Sequence, residues 1–182
     1  YIICEGDNKM ARKRRIWYPG AMYHISCRGN RKADLFLDDK DREKYLEILS
    51  KVQGKYNVNY LGYCLMNNHV HLHLETLDVE IWFIMQNINS NFAQYFNRRY
   101  GKVGHVFQGR YFSKVIRGYI HNLYISSYVH LNPVKAGLVD DPLDYNWSSY
   151  RVYLGKKKSE LVNDEKILGY FKNDRNKYQE YI

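Results

Sequence analysis

The stretch that decides the fold is Val58-Asn59-Tyr60-Leu61-Gly62-Tyr63-Cys64-Leu65-Met66-Asn67-Asn68-His69-Val70-His71-Leu72-His73-Leu74-Glu75-Thr76. It divides at Asn67-Asn68, a turn signal. Before the turn, Val58 to Leu65 is rich in strand-forming residues. After it, His69 to Thr76 alternates strictly. Side chains two apart in a strand share a face, so Val70, Leu72 and Leu74 point into a core. His69, His71, His73 and Glu75 point the other way.

Working outward, Ala21 to Arg28 alternates loosely and reads as a strand ended by Gly29-Asn30. Asp38 or Asp39 can cap a helix running to about Lys55, with Tyr45, Leu46, Leu49 and Val52 at helical spacing. Downstream, Ile81, Ile84, Met85, Ile88, Phe92 and Phe96 recur at intervals of three and four, which predicts a helix from Ile81 to Tyr100 closed by Gly101. Tyr111 to Ile116 is a short strand, and Gly118 breaks the chain. A helix is expected from Tyr119 to Asn132. Pro133 sets its end, because the residue before a proline is pushed out of the helical region. The remainder holds Trp147-Ser148-Ser149-Tyr150 and a late helix near Glu165 to Phe171.

The order β-α-β-β-α-β is the split βαβ order of a ferredoxin-like α+β fold: an antiparallel sheet with helices on one face. A C-terminal helical appendage follows. The expected organisation is one main domain over residues 10–150 and an appendage over 151–182. Met10 precedes a basic run and is the expected natural start, which would make residues 1–9 extraneous.

Bulk properties agree with one globular domain. The chain has 182 residues, 45% hydrophobic and 26% charged. No apolar run approaches the eighteen residues of a membrane span, and no secretory leader is legible. Cys4, Cys27 and Cys64 are odd in number and widely spaced, which speaks against a disulfide framework or a zinc finger and for reducing cytoplasm.

The formal net charge is +9, which favours a polyanionic partner. Between Glu80 and Asp140 there is no acidic residue, yet the span carries Arg98, Arg99, Lys102, Arg110, Lys114, Arg117 and Lys135. A merely solvated face usually mixes signs. A second basic cluster, Lys9 and Arg12 to Arg15, stands near the start. Phosphate contacts are expected from Arg110, Lys114, Arg98 and Arg99, and from the arm that includes Arg14 and Arg15. Phe107, Tyr111 and Trp147 are candidates for stacking on bases, with core packing as the competing role.

Neutral imidazoles two residues apart on a strand can converge on one divalent cation and leave coordination positions open. His69 and His71 are the candidate pair. His73 is open to three readings: a third ligand, a substrate contact or an edge residue. Oxygen ligands and a phosphate substrate would favour Mg²⁺ or Mn²⁺ over zinc. On the helix before Pro133, Tyr128 and Asn132 are four apart and share a face. Metal for a phosphate and phenol for an attack is a sensible pairing. Helix spacing alone is equally compatible with a core tyrosine and a helix stop.

Four blocks resemble the single-tyrosine HUH transposases, in particular the REP-associated tyrosine transposases. They are His69-Val70-His71, then His105-Val106-Phe107-Gln108-Gly109-Arg110, then Tyr128-Val129-His130-Leu131-Asn132-Pro133-Val134-Lys135-Ala136-Gly137-Leu138-Val139, then Asp144-Tyr145-Asn146-Trp147-Ser148-Ser149-Tyr150. The resemblance covers roughly Ala11 to Tyr150. Asn67 stands where the family usually has proline. The resemblance implies a ferredoxin-like sheet with the HUH on a central strand. It also implies metal ligation by His69, His71 and Asn132, and Tyr128 as nucleophile, with Tyr124 as a rival one turn away. It further implies cleavage and rejoining of single-stranded DNA beside hairpin (repetitive palindromic) ends through a 5′-phosphotyrosine link, in the bacterial cytoplasm on the nucleoid. Monomer and dimer both remain open.

Three other readings stay open at this point. One is an HUH nickase or replication initiator. Another is a non-catalytic, domesticated nucleic-acid binder. The third is a metal hydrolase using His69, His71 and Glu75 with no acting tyrosine.

Overall fold

A computed structural model describes residues 16–182. Four strands, β1 (Ala21–Arg28), β2 (Val58–Met66), β3 (His69–Thr76) and β4 (Phe112–Ile116), form one antiparallel sheet in the order β2-β3-β1-β4. This is the expected α+β sheet, with the histidine strand β3 in the interior. Every strand is antiparallel to its neighbour, so each backbone ladder closes without a parallel crossover pair.

Helices α1 (Asp39–Lys55) and α2 (Ile81–Tyr100) cover one face. The Asp38 carboxylate accepts from Asp41 N at 3.1 Å and caps α1, satisfying one otherwise orphaned amide. Gly101 closes α2 in the left-handed conformation, with φ +59°. Tyr45, Ile48, Leu49 and Val52 of α1 and Ile81, Ile84, Met85, Ile88, Phe92 and Phe96 of α2 are buried against Tyr23, Ile25, Val70, Leu72 and Leu74. Each fully buried side chain of this size contributes about 1.5–3 kcal/mol.

The third long helix departs from the sequence expectation in two ways. It spans Gly118–Lys135 (α3) and lies on the opposite face, where Ile125 and Val129 pack on Cys64, Met66 and Ile116. The main helices therefore sandwich the sheet rather than keeping to one side. Moreover, Pro133 lies inside α3 and does not end it. It stands in the last turn, where its missing amide costs one bond. The final carbonyls are taken by Ala136 N to Asn132 O at 3.0 Å, Gly137 N to Val134 O at 2.9 Å and Leu138 N to Pro133 O at 2.9 Å. Gly137, at φ +66°, makes the reversal that this closing motif requires.

The expected C-terminal appendage shares the main core. The short helices Tyr150–Tyr153 (α4), Glu165–Leu168 (α5) and Arg175–Tyr181 (α6) bury Tyr150, Val152, Tyr153, Ile167, Leu168 and Tyr178 in the same cluster as the sheet. This segment also occupies the outer edge of β2. Leu65 N donates to Trp147 O at 2.9 Å, Ser149 N to Tyr63 O at 3.0 Å and Asn163 N to Tyr60 O at 2.9 Å. Covering that row of backbone groups removes a pairing edge that would invite aggregation. Among the described residues, no helix is long and apolar enough to cross a membrane.

Candidate active site

The site lies on the face of the sheet that carries α3. Antiparallel register sets its floor. His71 stands opposite Ser26 of β1 and Cys64 of β2, and His73 opposite His24 and Gly62. Across β1, His24 stands opposite Lys114 of β4. His69 stands opposite Arg28, at the end of the sheet where the chain turns through Asn67-Asn68.

The imidazoles are held in defined orientations. His69 Nδ1 lies 2.8 Å from Asn68 Oδ1. The amide oxygen can only accept, so Nδ1 carries the proton and Nε2 carries the lone pair. His71 Nδ1 lies 2.9 Å from His24 Nε2; in the tautomer where His71 Nδ1 donates, the Nε2 lone pair of His71 is left unused. The rings of His69 and His71 are 4.9 Å apart at 89°. Burial, then the nearby His24 and His69 rings, lowers the His71 pKa to about 3. Burial, then His121 and Lys114, lowers that of His24 to about 4. His69 is also lowered, first by burial and then by Arg28. All three rings are therefore neutral near pH 7, the form in which a histidine offers a lone pair.

From α3, Tyr128 reaches this floor. Its ring centroid is 5.4 Å from His24 and 5.4 Å from His71, edge-on to both. Lys135 Nζ lies 5.0 Å from the same ring centroid, a cation–π contact. Asn132, one turn on, donates from Nδ2 to Tyr128 O at 2.7 Å and is buried. That bond leaves the amide oxygen for another donor or a cation. Tyr124 stacks beside Tyr128 with centroids 6.3 Å apart, but has no ring contact with the histidines. The structure thus brings His71 and Tyr128 together, with His69 beside His71 and Asn132 one turn beyond Tyr128.

His73 does not join them. It is 0% exposed, and neither ring nitrogen has a hydrogen-bond partner among the described residues. Burial lowers its pKa to about 3, with Asn122 close enough to offset this slightly but outside hydrogen-bond geometry. Glu75 sits further along β3, paired with Lys166 and accepting from Asn59 Nδ2 at 3.1 Å. A carboxylate so engaged is not available beside His69. Among the described residues, no group of three His, Cys, Asp or Glu side chains could hold a metal. Two imidazoles and the Asn132 amide are the donor set at hand. A divalent cation there would need further oxygen donors, such as those of a phosphate, to complete its coordination.

The basic residues separate into groups. Lys114 is exposed on the site face, and Arg110 is exposed just before β4, where Gln108 N bonds Arg28 O at 2.8 Å. Arg98 and Arg99 lie on α2, on the far side of the sheet. Arg99 is engaged with Asp38 and Asp41. Arg14 and Arg15 lie outside the described residues. Among the proposed stacking aromatics, Phe107 is buried against Phe92, and Trp147 is half-buried under Arg42.

Sequence reasoning missed His24, Arg28 and Asn68. The alternation Met22, His24, Ser26, Arg28 places His24 and Arg28 on the polar face of β1. What was not legible is that β1 pairs with β3 in the register that sets His24 against His71.

The site thus combines a four-stranded antiparallel sheet, a paired-histidine strand and an edge-on tyrosine from a covering helix. The family described as IS200-like transposase matches residues 18–132. This chain belongs to that family. No curated protein matches the chain. Among solved structures, it is similar to a REP-associated tyrosine transposase bound to a REP hairpin, with TM-score 0.68 and 17% identity, covering 85% of this chain and 98% of that one. At that identity the likeness is one of fold. A transposase-related structure from Deinococcus radiodurans aligns with TM-score 0.47 and 14% identity, over 65% of this chain and 95% of that one.

Proposed function

We propose that the protein cleaves and rejoins single-stranded DNA beside hairpins, with Tyr128 as nucleophile and with Mg²⁺ or Mn²⁺ held by His69, His71 and Asn132. The observation that carries this reading is the Tyr128 ring 5.4 Å from His71, whose Nδ1 is already engaged by His24. A divalent cation bound there would neutralise a non-bridging phosphate oxygen and make the phosphorus more electrophilic.

The chain's own groups account for the rest. Tyr128 Oη forms a bond to phosphorus in line with the leaving group. The bond from phosphorus to the 3′-oxygen breaks, and the phenol proton is balanced by the proton gained at the released 3′-hydroxyl. Rejoining is the reverse attack by a 3′-hydroxyl, so no high-energy cofactor is consumed. Lys135 places a positive charge beside the ring, where the phosphate must approach. Arg28, Arg110 and Lys114 are exposed and would contact phosphates on either side.

The test uses a labelled pool of single-stranded hairpin oligonucleotides with randomised flanks, incubated with Mg²⁺ or Mn²⁺ and resolved on a denaturing gel. A covalent protein–DNA adduct is expected. Its absence with both metals would sink the reading and favour a non-catalytic binder.

Metal binding supplies a second expected result, read by the loss of free Mn²⁺ signal in electron paramagnetic resonance. His71→Ala removes a ligand and is expected to weaken Mn²⁺ binding by at least about 100-fold. His24→Ala leaves the ligand but frees its ring, for a loss of about tenfold, the lower end for a ligand-orienting partner. Unchanged affinity in His24→Ala would show that His24 does not orient His71.

A further inference from the structure

A row of rings passes through Tyr128, and the chemistry proposed above does not use its two outer members. Phe112 on β4 lies 6.2 Å from His24, His24 lies 5.4 Å from Tyr128, and Tyr128 lies 6.3 Å from Tyr124. The two outer rings are open to solvent: Phe112 is 56% and Tyr124 57% exposed. A single exposed aromatic needs no explanation. Here two of them stand on different elements, one on each flank of the proposed nucleophile.

Topology explains the opening. α3 packs chiefly against β2 and β3. Among the described residues, β4 is the last strand of the sheet, with a strand neighbour on one side only. The site face is therefore open between the wall of α3 and the floor of β4. That floor carries Phe112 and the exposed Lys114, and the wall carries His121 and Tyr124. Charge matches the shape. Residues 81–139, which supply both β4 and α3, hold no Asp or Glu. An aromatic row edged by cations and free of acids fits a strand of unpaired nucleotides: the bases stack on rings and the phosphates meet lysine and arginine.

We infer that this opening is a base-stacking groove, in which Phe112 and Tyr124 each receive an unpaired base of the single strand flanking the scissile phosphate. The inference rests on the transesterase reading for what happens at Tyr128. It does not need that reading for binding. Tyr124 acts through its ring and not its hydroxyl.

The experiment measures equilibrium binding of a fluorescent single-stranded oligonucleotide, and of the same sequence as duplex, in EDTA, so that no cleavage intrudes. Phe112→Thr keeps a strand-forming residue at an exposed position, and Tyr124→Ala improves helix propensity, so both variants are expected to fold. Circular dichroism checks this. Each is expected to weaken single-strand binding about tenfold, the scale of one lost base stack, with little effect on duplex. Tyr124→Phe and Phe112→Trp keep a ring and are expected to retain wild-type binding. Placing an abasic site at successive positions should weaken wild-type binding at one or two positions, and at one fewer in each ring-less variant.

Single-strand affinity unchanged in both ring-less variants would overturn the groove, as would equal losses for single strand and duplex. So would loss of binding in Tyr124→Phe. These outcomes are independent of adduct formation. A protein that stacks bases but forms no adduct keeps the groove and loses the transesterase, and the converse pattern does the reverse.

Discussion

Replacing Tyr128 by phenylalanine is expected to abolish the covalent adduct with hairpin DNA, while Tyr124→Phe leaves it intact. The loss should be at least about a thousandfold, because the substitution removes the bond-forming oxygen itself. The ring stays, so its edge contacts with His24 and His71 and the cation–π contact with Lys135 stay too. Binding of single-stranded DNA should therefore change little, and the defect should lie in the covalent step alone. Tyr124 is the rival by sequence, one turn away. Its ring reaches Tyr128 but not the histidines. Loss of the adduct in Tyr124→Phe, with Tyr128→Phe still reactive, would transfer the nucleophile and remove the site as proposed.

Acidification is expected to destabilise the fold through the buried His130. His130 is 0% exposed and lies between two hydroxyls, with Nε2 2.7 Å from Ser149 Oγ and Nδ1 2.8 Å from Tyr178 OH. Burial, and then His73, lowers its pKa from 6.5 to about 3. Below pH 6.5 the unfolded chain binds a proton that the folded protein refuses. Stability is thus fully present above about 6.5, falls as pH drops, and levels off near 3. By pH 4.5 the loss is about 3 kcal/mol from this one group, at roughly 1.4 kcal/mol per pH unit. That is a large part of the net stability of an ordinary domain. Urea midpoints of wild type and His130→Gln between pH 7.5 and 4.5 test it. The variant should start less stable and show a shallower slope, and identical slopes would rule out His130 as the source.

The same network shows why α3 holds its place. Gly62 of β2 has no side chain, and a Cβ there would meet Ser149 Oγ at 3.3 Å and His130 Nε2 at 3.5 Å. The missing methyl lets His130 sit against the strand. Tyr178, from the far end of the chain, bonds both His130 and Ser126 at 2.8 and 2.7 Å and ties α6 to the helix that carries Tyr128. The tail that reads as an appendage is a brace for the site helix. Nothing in its composition announces this, because the contacts join residues 48 and 52 positions apart.

Much of the architecture was legible without coordinates. Period-two alternation in β1 and β3 and the spacing of Ile81 to Phe96 in α2 are local patterns, and each commits a face to the core whatever the rest of the chain does. The histidine pair belonged to that class, since alternation alone put His69 and His71 on one side. Arg99 shows the limit. It carries the same charge as Arg98 and Lys114, and only folding brings Asp38 and Asp41 around to neutralise it.

Taken alone, the amino-acid sequence determined the element order, the polar face of β3 and the acid-free span from 81 to 139, because these depend on neighbours within a few positions. Tertiary structure decided which face α3 covers, that Pro133 is absorbed within its last turn, that His24 engages His71, and that Phe112 and Tyr124 are left open beside Tyr128. Those outcomes depend on strand register and long-range packing, where residues far apart in the chain become neighbours, and no local period encodes that.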